Sequence, residues 1–217
     1  MRNCQICGES ARREVFRHYN HPEMDLFACA SCGFRYVDGD SLSQDWFDHY
    51  YLTEYTTSDT PYSFERYQSL AQYVAERATD VLDIGGKDGE LHEHFAKIQG
   101  LNYDAMGVGE NPERKYGCVV LSHTLEHIYE IAPSFALIAA ALDGPADRGG
   151  WLVIEVPIHL EYVDPGDYDN HWQHINKFRP QDLTRLLVGR GYVIVESVQI
   201  DDYREYKCWR IAGRKAG

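Results

Sequence analysis

The chain has 217 residues, 44% apolar and 13% aromatic, with 34 acidic against 21 basic side chains. A formal charge of −13 excludes a broad electrostatic grip on nucleic acid or on an anionic membrane, and the aromatic content excludes a disordered chain. No apolar run has the length of about twenty residues that a membrane span needs, and MRNCQICGES lacks the basic and apolar regions of a signal peptide. The expectation is a cytoplasmic protein acting on a small molecule, with one full domain and a small module.

The module comes first. Four of the six cysteines form two pairs, Cys4-x2-Cys7 and Cys29-x2-Cys32, each followed by a glycine, Gly8 and Gly33. Tetrahedral zinc with four sulfur ligands has this spacing, and glycine suits a knuckle turn whose amides point at thiolate. In a reducing compartment the pattern reads as metal ligands before disulfides. The segment 8–28 has room for a strand pair, and the ion would supply the folding energy that so small a unit lacks. We take residues 1–40 as this zinc module.

Residues 41–62 hold Trp46, Phe47, Tyr50, Tyr51, Tyr55 and Tyr62 and read as an aromatic connector, either packed between domains or placed as a lid. From 63 to 217 helices and strands alternate. The spacing predicts helices over 63–78, 90–98, 132–142 and 180–191. It predicts strands over 81–85, 103–108, 118–122, 151–157, 192–200 and 208–213. Alternation of this kind implies an α/β fold with a mostly parallel sheet wrapped on both faces.

The first of these strands runs into Asp83-Ile84-Gly85-Gly86-Lys87-Asp88-Gly89 and then a helix. Strand, glycine-rich turn and helix make the nucleotide cradle of open α/β sheets. A second constellation is His123-Thr124-Leu125-Glu126-His127. On a helix its two histidines, four apart, would share one face, which is the spacing of the inverted zinc proteases. His171 and His174 lie downstream, and Glu155 and His159 flank another strand end, so a second metal at the carboxyl edge of the sheet is a further reading. His92 and His94 are expected on the solvent side of their helix, Cys118 and Cys208 as buried strand thiols, and Asp164, Asp167 and Asp169 as a solvated loop. Trp172 reads as a core side chain or a ring that stacks on substrate. Arg179-Pro180 reads as a helix start.

In order, VLDIGGKDGELHEHF, SHTLEHI, GGWLVIEVP and HWQHINKFRPQDLTRLLVGRGY resemble the successive motifs of class I S-adenosylmethionine-dependent methyltransferases. With the cysteine knuckles and aromatic connector, the chain more narrowly resembles the sugar C-methyltransferases of deoxysugar pathways, which act on nucleotide-linked keto-sugars. The resemblance implies a Rossmann-like domain and S-adenosylmethionine as methyl donor. It gives Asp83 the role of ordering the cofactor loop, Gly85, Gly86 and Gly89 that of the cradle, and Glu110 and His123 further cofactor contacts. It also makes His127 and His174 candidate bases, with Glu126 orienting them and His171 beside them. A histidine near neutrality can remove the proton next to a ketone.

Three features depart from that family. Lys87 stands at the middle cradle position. The second strand ends in Gly107-Val108-Gly109, with Glu110 one place late for the acid that holds the ribose. Only five residues separate Pro112 from Cys118, whereas a crossover to a further strand needs about a dozen. The domain is therefore a shortened one. The wall of the adenine pocket would come from the connector, or from a second copy or a partner subunit completing the site. The other explanation is a degenerate domain serving as a binding or scaffold subunit.

Overall fold

A computed structural model describes residues 2–16, 24–47, 49, 64–86, 91–142, 150–158, 174–201 and 207–216. The N-terminal segment forms β1 (Arg12–Phe16), β2 (Asp25–Cys29) and β3 (Arg35–Asp38), paired antiparallel in that order. The expected strand pair between the cysteines is thus present, with β3 added after Cys32. A fourth strand joins from far along the chain. β8 (Asn176–Lys177) pairs with β3 through Arg35↔Lys177 and Tyr36↔Asn176. The small sheet therefore draws on both the cysteine segment and the α/β segment.

The large sheet comprises β4 (Asp80–Ile84), β5 (Asn102–Met106), β6 (Cys118–Ser122), β7 (Trp151–Pro157), β9 (Tyr192–Asp201) and β10 (Lys207–Lys215). Among the described residues its order is β5-β4-β6-β7-β10-β9. The first four strands run parallel, and β10 is antiparallel to both of its neighbours. Apolar runs such as CVVLS and WLVIEVP bury both their faces, as strands in the middle of a covered sheet must. Alternate residues divide between two cores. Val81, Cys118, Val120 and Val153 face α1 (Phe64–Ala75) and α2 (Leu91–Ala96). Leu82, Val119, Leu121, Leu152 and Ile154 face α3 (Ile131–Ala141), α4 (Pro180–Val188) and the small sheet.

Helix α1 forms because Tyr67, Leu70, Ala71 and Val74 recur at helical spacing, and these four carry its buried face. Leu70 is fully buried, so Leu70→Ala would cost about 2–5 kcal/mol. Helix α4 starts at Pro180, with Arg179 and Asp182 exchanging bonds across its first turn. The apolar segments thus form the expected elements with ends shifted by a few residues. The exception is β10, which extends beyond 208–213 into polar residues on both sides. Between β5 and β6 only Gly107–Gly117 intervene, and among the described residues β5 is an outermost strand.

His94 corrects one expectation. It is buried rather than on the solvent side, because the last turn of α2 packs its ring 5.8 Å from that of Tyr67. His92 is exposed, as expected. Trp46 and Phe47 of the connector pack inward, with Phe47 5.2 Å from the Tyr129 ring. The rest of the connector, Tyr50 to Tyr62, lies outside the described residues. Among the described residues no helix is long and apolar enough to cross a membrane.

Candidate active site and cysteine cluster

The two cysteine knuckles are built alike. Gly8 N donates to Cys4 O at 2.8 Å, and Gly33 N to Cys29 O at 3.0 Å. Both glycines are left-handed, with φ of 76° and 74°, which side chains with a Cβ rarely adopt. The turns bring all four sulfurs within 4.8 Å of one another. Cys4 and Cys32 are 3.6 Å apart and Cys7 and Cys29 3.5 Å, and none is in a disulfide. Four sulfurs at about 2.3 Å from one tetrahedral ion would be about 3.8 Å apart, so the set fits zinc. Burial pushes the Cys29 thiol up, but the backbone N–H groups of Cys32 and Ser31 outweigh it and bring it down to about 7.

At the carboxyl end of β4 the glycine turn is shaped by Asp83. That side chain is 2% exposed and accepts a hydrogen bond from Tyr103 Oη at 2.8 Å. Burial pushes its carboxyl up to about 6, against the pull of the Tyr103 hydroxyl. A Cβ on Gly86 would lie 2.0 Å from Asp83 Oδ2, so only glycine passes over this acid. Gly85 has φ 91°, and a Cβ there would meet Thr124 Oγ1 at 2.5 Å. The turns after β4 and β6 are therefore in direct contact. Glu110 folds back so that Oε2 accepts from Gly107 N at 3.0 Å, which places its carboxylate just beyond β5. Asp83, Gly85, Gly86 and Glu110 thus lie at the carboxyl ends of the neighbouring strands β4 and β5. Lys87 and Gly89 lie outside the described residues.

The turn after β6 is not the helix on which His123 and His127 would share a face. His123 is left-handed, with φ 52°, and only Leu125–His127 form a single 3-10 turn. The two histidines therefore do not share a helix face. The cause is tertiary. His123 N donates to Glu155 O at 2.8 Å, which continues the β6–β7 ladder, while Nε2 lies 2.9 Å from Cys208 Sγ of β10. Burial pulls the His123 imidazole well below the ordinary histidine range, with Arg66 and His127 adding to the effect.

Glu126 then points inward. It is 0% exposed, and neither carboxylate oxygen has a hydrogen-bond partner in another described residue. Burial pushes it up to about 8, against its own backbone N–H and Arg66. Oε1 lies 3.7 Å from His123 Nδ1 and 3.7 Å from His127 Nε2. The His127 and His174 rings meet edge to face at 5.0 Å. Glu126, His127 and His174 each bring one ligand atom within 4.8 Å of the others. His159, His171, Trp172 and the acidic loop of Asp164, Asp167 and Asp169 lie outside the described residues.

His174 reaches this place through the small sheet. Val37 N donates to Ile175 O at 2.8 Å, and Asn176 Nδ2 donates to Ile128 O at 2.7 Å and Leu125 O at 3.3 Å. The segment carrying His174 is thus bonded to β3 on one side and to the 3-10 turn on the other. Arg179 Nη2 adds a bond to Cys32 O at 3.1 Å. At the end of β3 Asp38 accepts from Arg2 N at 2.9 Å, from Tyr129 Oη at 2.5 Å and from Arg12. Burial raises its carboxyl, but these bonds prevail and hold it below the ordinary range.

Sequence reasoning missed Asn176 and a buried charge triad. Glu155 Oε2 accepts from Arg66 Nη1 at 2.9 Å and Oε1 from Arg210 Nε at 2.7 Å. The signal was present: WLVIEVP places a carboxylate in a strand that is otherwise apolar, and such a group must be paired.

The sequence between 60 and 197, more than half of the chain, matches the family described as methyltransferase domain. The chain belongs to the methyltransferase domain family. Solved structures agree on the fold of this methyltransferase. The 1,6-didemethyltoxoflavin-N1-methyltransferase of Burkholderia thailandensis, bound to 1,6-didemethyltoxoflavin and S-adenosylhomocysteine, is similar with a TM-score of 0.59. It is 15% identical, and the match covers 94% of this chain and 100% of that one. The DhpI-SAM-HEP complex matches with a TM-score of 0.52 at 14% identity, over 81% of this chain and 99% of that one. The N-methyltransferase NodS from Bradyrhizobium japonicum WM9, in complex with S-adenosylhomocysteine, gives 0.50 and 14%, over 80% and 98%. No curated protein matches the sequence.

Proposed function

We propose that this methyltransferase takes its methyl group from S-adenosylmethionine and delivers it to a small oxygen-bearing acceptor, a nucleotide-linked keto-sugar being the first to try. The observation that carries the reading is the contact of Gly85 with Thr124. It sets the glycine turn that would carry the donor against the turn that carries Glu126 and His127. Asp83 would order the donor's loop, Gly85 and Gly86 would let it approach the backbone, and Glu110 would face its ribose. The donor supplies an electrophilic methyl on a sulfonium, so the chain's own work is positioning the acceptor and activating it. Two modes of activation are open to Glu126, His127 and His174: an imidazole as base, or a cation held by all three. Zinc in the cysteine knuckles would serve structure, since four thiolates leave it no open position.

The test uses zinc-loaded full-length protein, methyl-labelled donor and a panel of keto-sugar nucleotides. The reading expects labelled methyl on carbon beside the ketone, and loss of that product in His174→Ala with the fold retained. Turnover unchanged in His174→Ala would overturn the assignment of His174, and no label on any keto-sugar would overturn that acceptor class. A binding or scaffold subunit is the second reading. The observation favouring it is the short Gly107–Gly117 connection, which leaves β5 outermost where the fold family would build an adenine wall. Donor binding separates the two.

A further inference from the structure

We propose that Glu126, His127 and His174 form a second metal site, holding one divalent transition cation whose open position takes an acceptor oxygen. The acceptor part rests on the reading above; the metal site does not. The first argument is Glu126. A carboxylate that is 0% exposed, with no hydrogen-bond partner in another described residue, is costly in an apolar interior. Buried polar groups of this kind are paired or coordinate metals. The second argument is spacing. Glu126 Oε1 and His127 Nε2 are 3.7 Å apart, beyond a hydrogen bond. Ligands at about 2.0–2.1 Å from one tetrahedral ion would be about 3.3 Å apart, which a small rotation of either side chain attains. The third argument is that Glu155 and His123 Nε2 are already engaged. Glu155 is held by Arg66 and Arg210 and His123 Nε2 by Cys208, while His123 Nδ1, 3.7 Å from Glu126 Oε1, stands as near the carboxylate as His127 does.

One carboxylate oxygen and two imidazoles suit zinc, cobalt, manganese or iron in the divalent state. The site has a way in, because the His127 side chain is 21% exposed and His174 is also partly exposed. It has rigid supports, because Asn176 ties the 3-10 turn to β8. Three protein ligands leave a place for an exogenous oxygen, as catalytic sites do and structural ones do not. That open place beside the glycine turn selects an acceptor presenting a ketone or hydroxyl oxygen.

The test needs neither methyl donor nor acceptor. Full-length protein loaded with one zinc per chain is dialysed against cobalt(II) and counted for both metals, while the visible spectrum is recorded. The proposal expects one added cobalt per chain, with ligand-field bands but no new thiolate charge-transfer band. Glu126→Gln and His174→Ala should each weaken cobalt binding at least 100-fold while keeping the zinc. Glu126→Gln keeps the side-chain volume and replaces the carboxyl ligand by a neutral amide, so it serves as the folded control. Wild-type protein that takes up no cobalt at millimolar concentration would overturn the proposal. Uptake that both variants leave unchanged would overturn it equally.

Discussion

Among the described residues two clusters gather ligand atoms within 4.8 Å, and they are opposites. The cysteine cluster has four like donors on two matched knuckles, each closed by a left-handed glycine. The Glu126–His127–His174 cluster has three unlike donors on two separate segments, one fully buried and two partly open. The first would satisfy a tetrahedral ion completely and so would serve structure. The second is incomplete by itself and suits chemistry. The path between them is short: Cys32 O holds Arg179, β3 pairs β8, and β8 aims His174 at His127. The lesson is that the cysteine segment is tied to the strand and turn that carry His174, Glu126 and His127.

The severest way to break this comparison is Cys29→Ser. Structural zinc contributes about 10–16 kcal/mol of apparent binding energy, on the scale of a whole domain's stability. The variant should lose its zinc, melt without a cooperative transition in the small sheet, and lose methyl transfer with it. A wild-type melting curve would show that the cluster is not a folding element. Next comes the floor beneath the open cluster. Glu155→Gln leaves Arg66 and Arg210 buried without their counter-charge, and urea unfolding should register a loss of about 3–5 kcal/mol.

Asp83 gives a pH test. Its carboxyl is raised from 3.8 to about 6 in the folded chain, so its contribution to stability is full below pH 3.8 and is lost as pH rises through 6. The loss amounts to roughly 3 kcal/mol. Asp83→Asn should flatten the stability profile between pH 4 and pH 6 relative to wild type, and unfolding midpoints across that range measure it. Asn176→Ala cuts the link between the clusters and takes from the buried carbonyl of Ile128 its bond from Asn176 Nδ2, at a cost of about 1–3 kcal/mol. Turnover should fall further than stability does. The smallest effect on stability belongs to metal-free Glu126→Gln, within about 1 kcal/mol of wild type by thermal melt, because the lost carboxylate has no hydrogen-bond partner in another described residue. The same variant should be nearly inactive. That contrast with Cys29→Ser sharpens the division between the two clusters.

Much of this was legible in the chain. The cysteine spacing and its two glycines gave the knuckles. The runs CVVLS and WLVIEVP gave β6 and β7, since strands buried on both faces are apolar throughout. The count from Pro112 to Cys118 gave the shortened connection. What escaped depends on distant partners. β8 is two residues long and exists only because β3 pairs with it. Helical spacing at His123-x-x-Glu126-His127 was overridden by the bond from His123 to Glu155. The ends of β10 are polar, and antiparallel pairing with β7 and β9 extends them without any apolar signal. His94 is buried by Tyr67, which no local pattern announces.

The central claim is that the shortened domain still takes a methyl donor at the glycine turn. The most direct measurement is calorimetric titration of zinc-loaded protein with S-adenosylmethionine and with its demethylated product. The account predicts saturable one-site binding of both, weakened at least tenfold by Asp83→Ala. Absence of heat with either ligand at millimolar concentration would contradict it, and would leave the chain as a methyltransferase fold serving as a binding subunit.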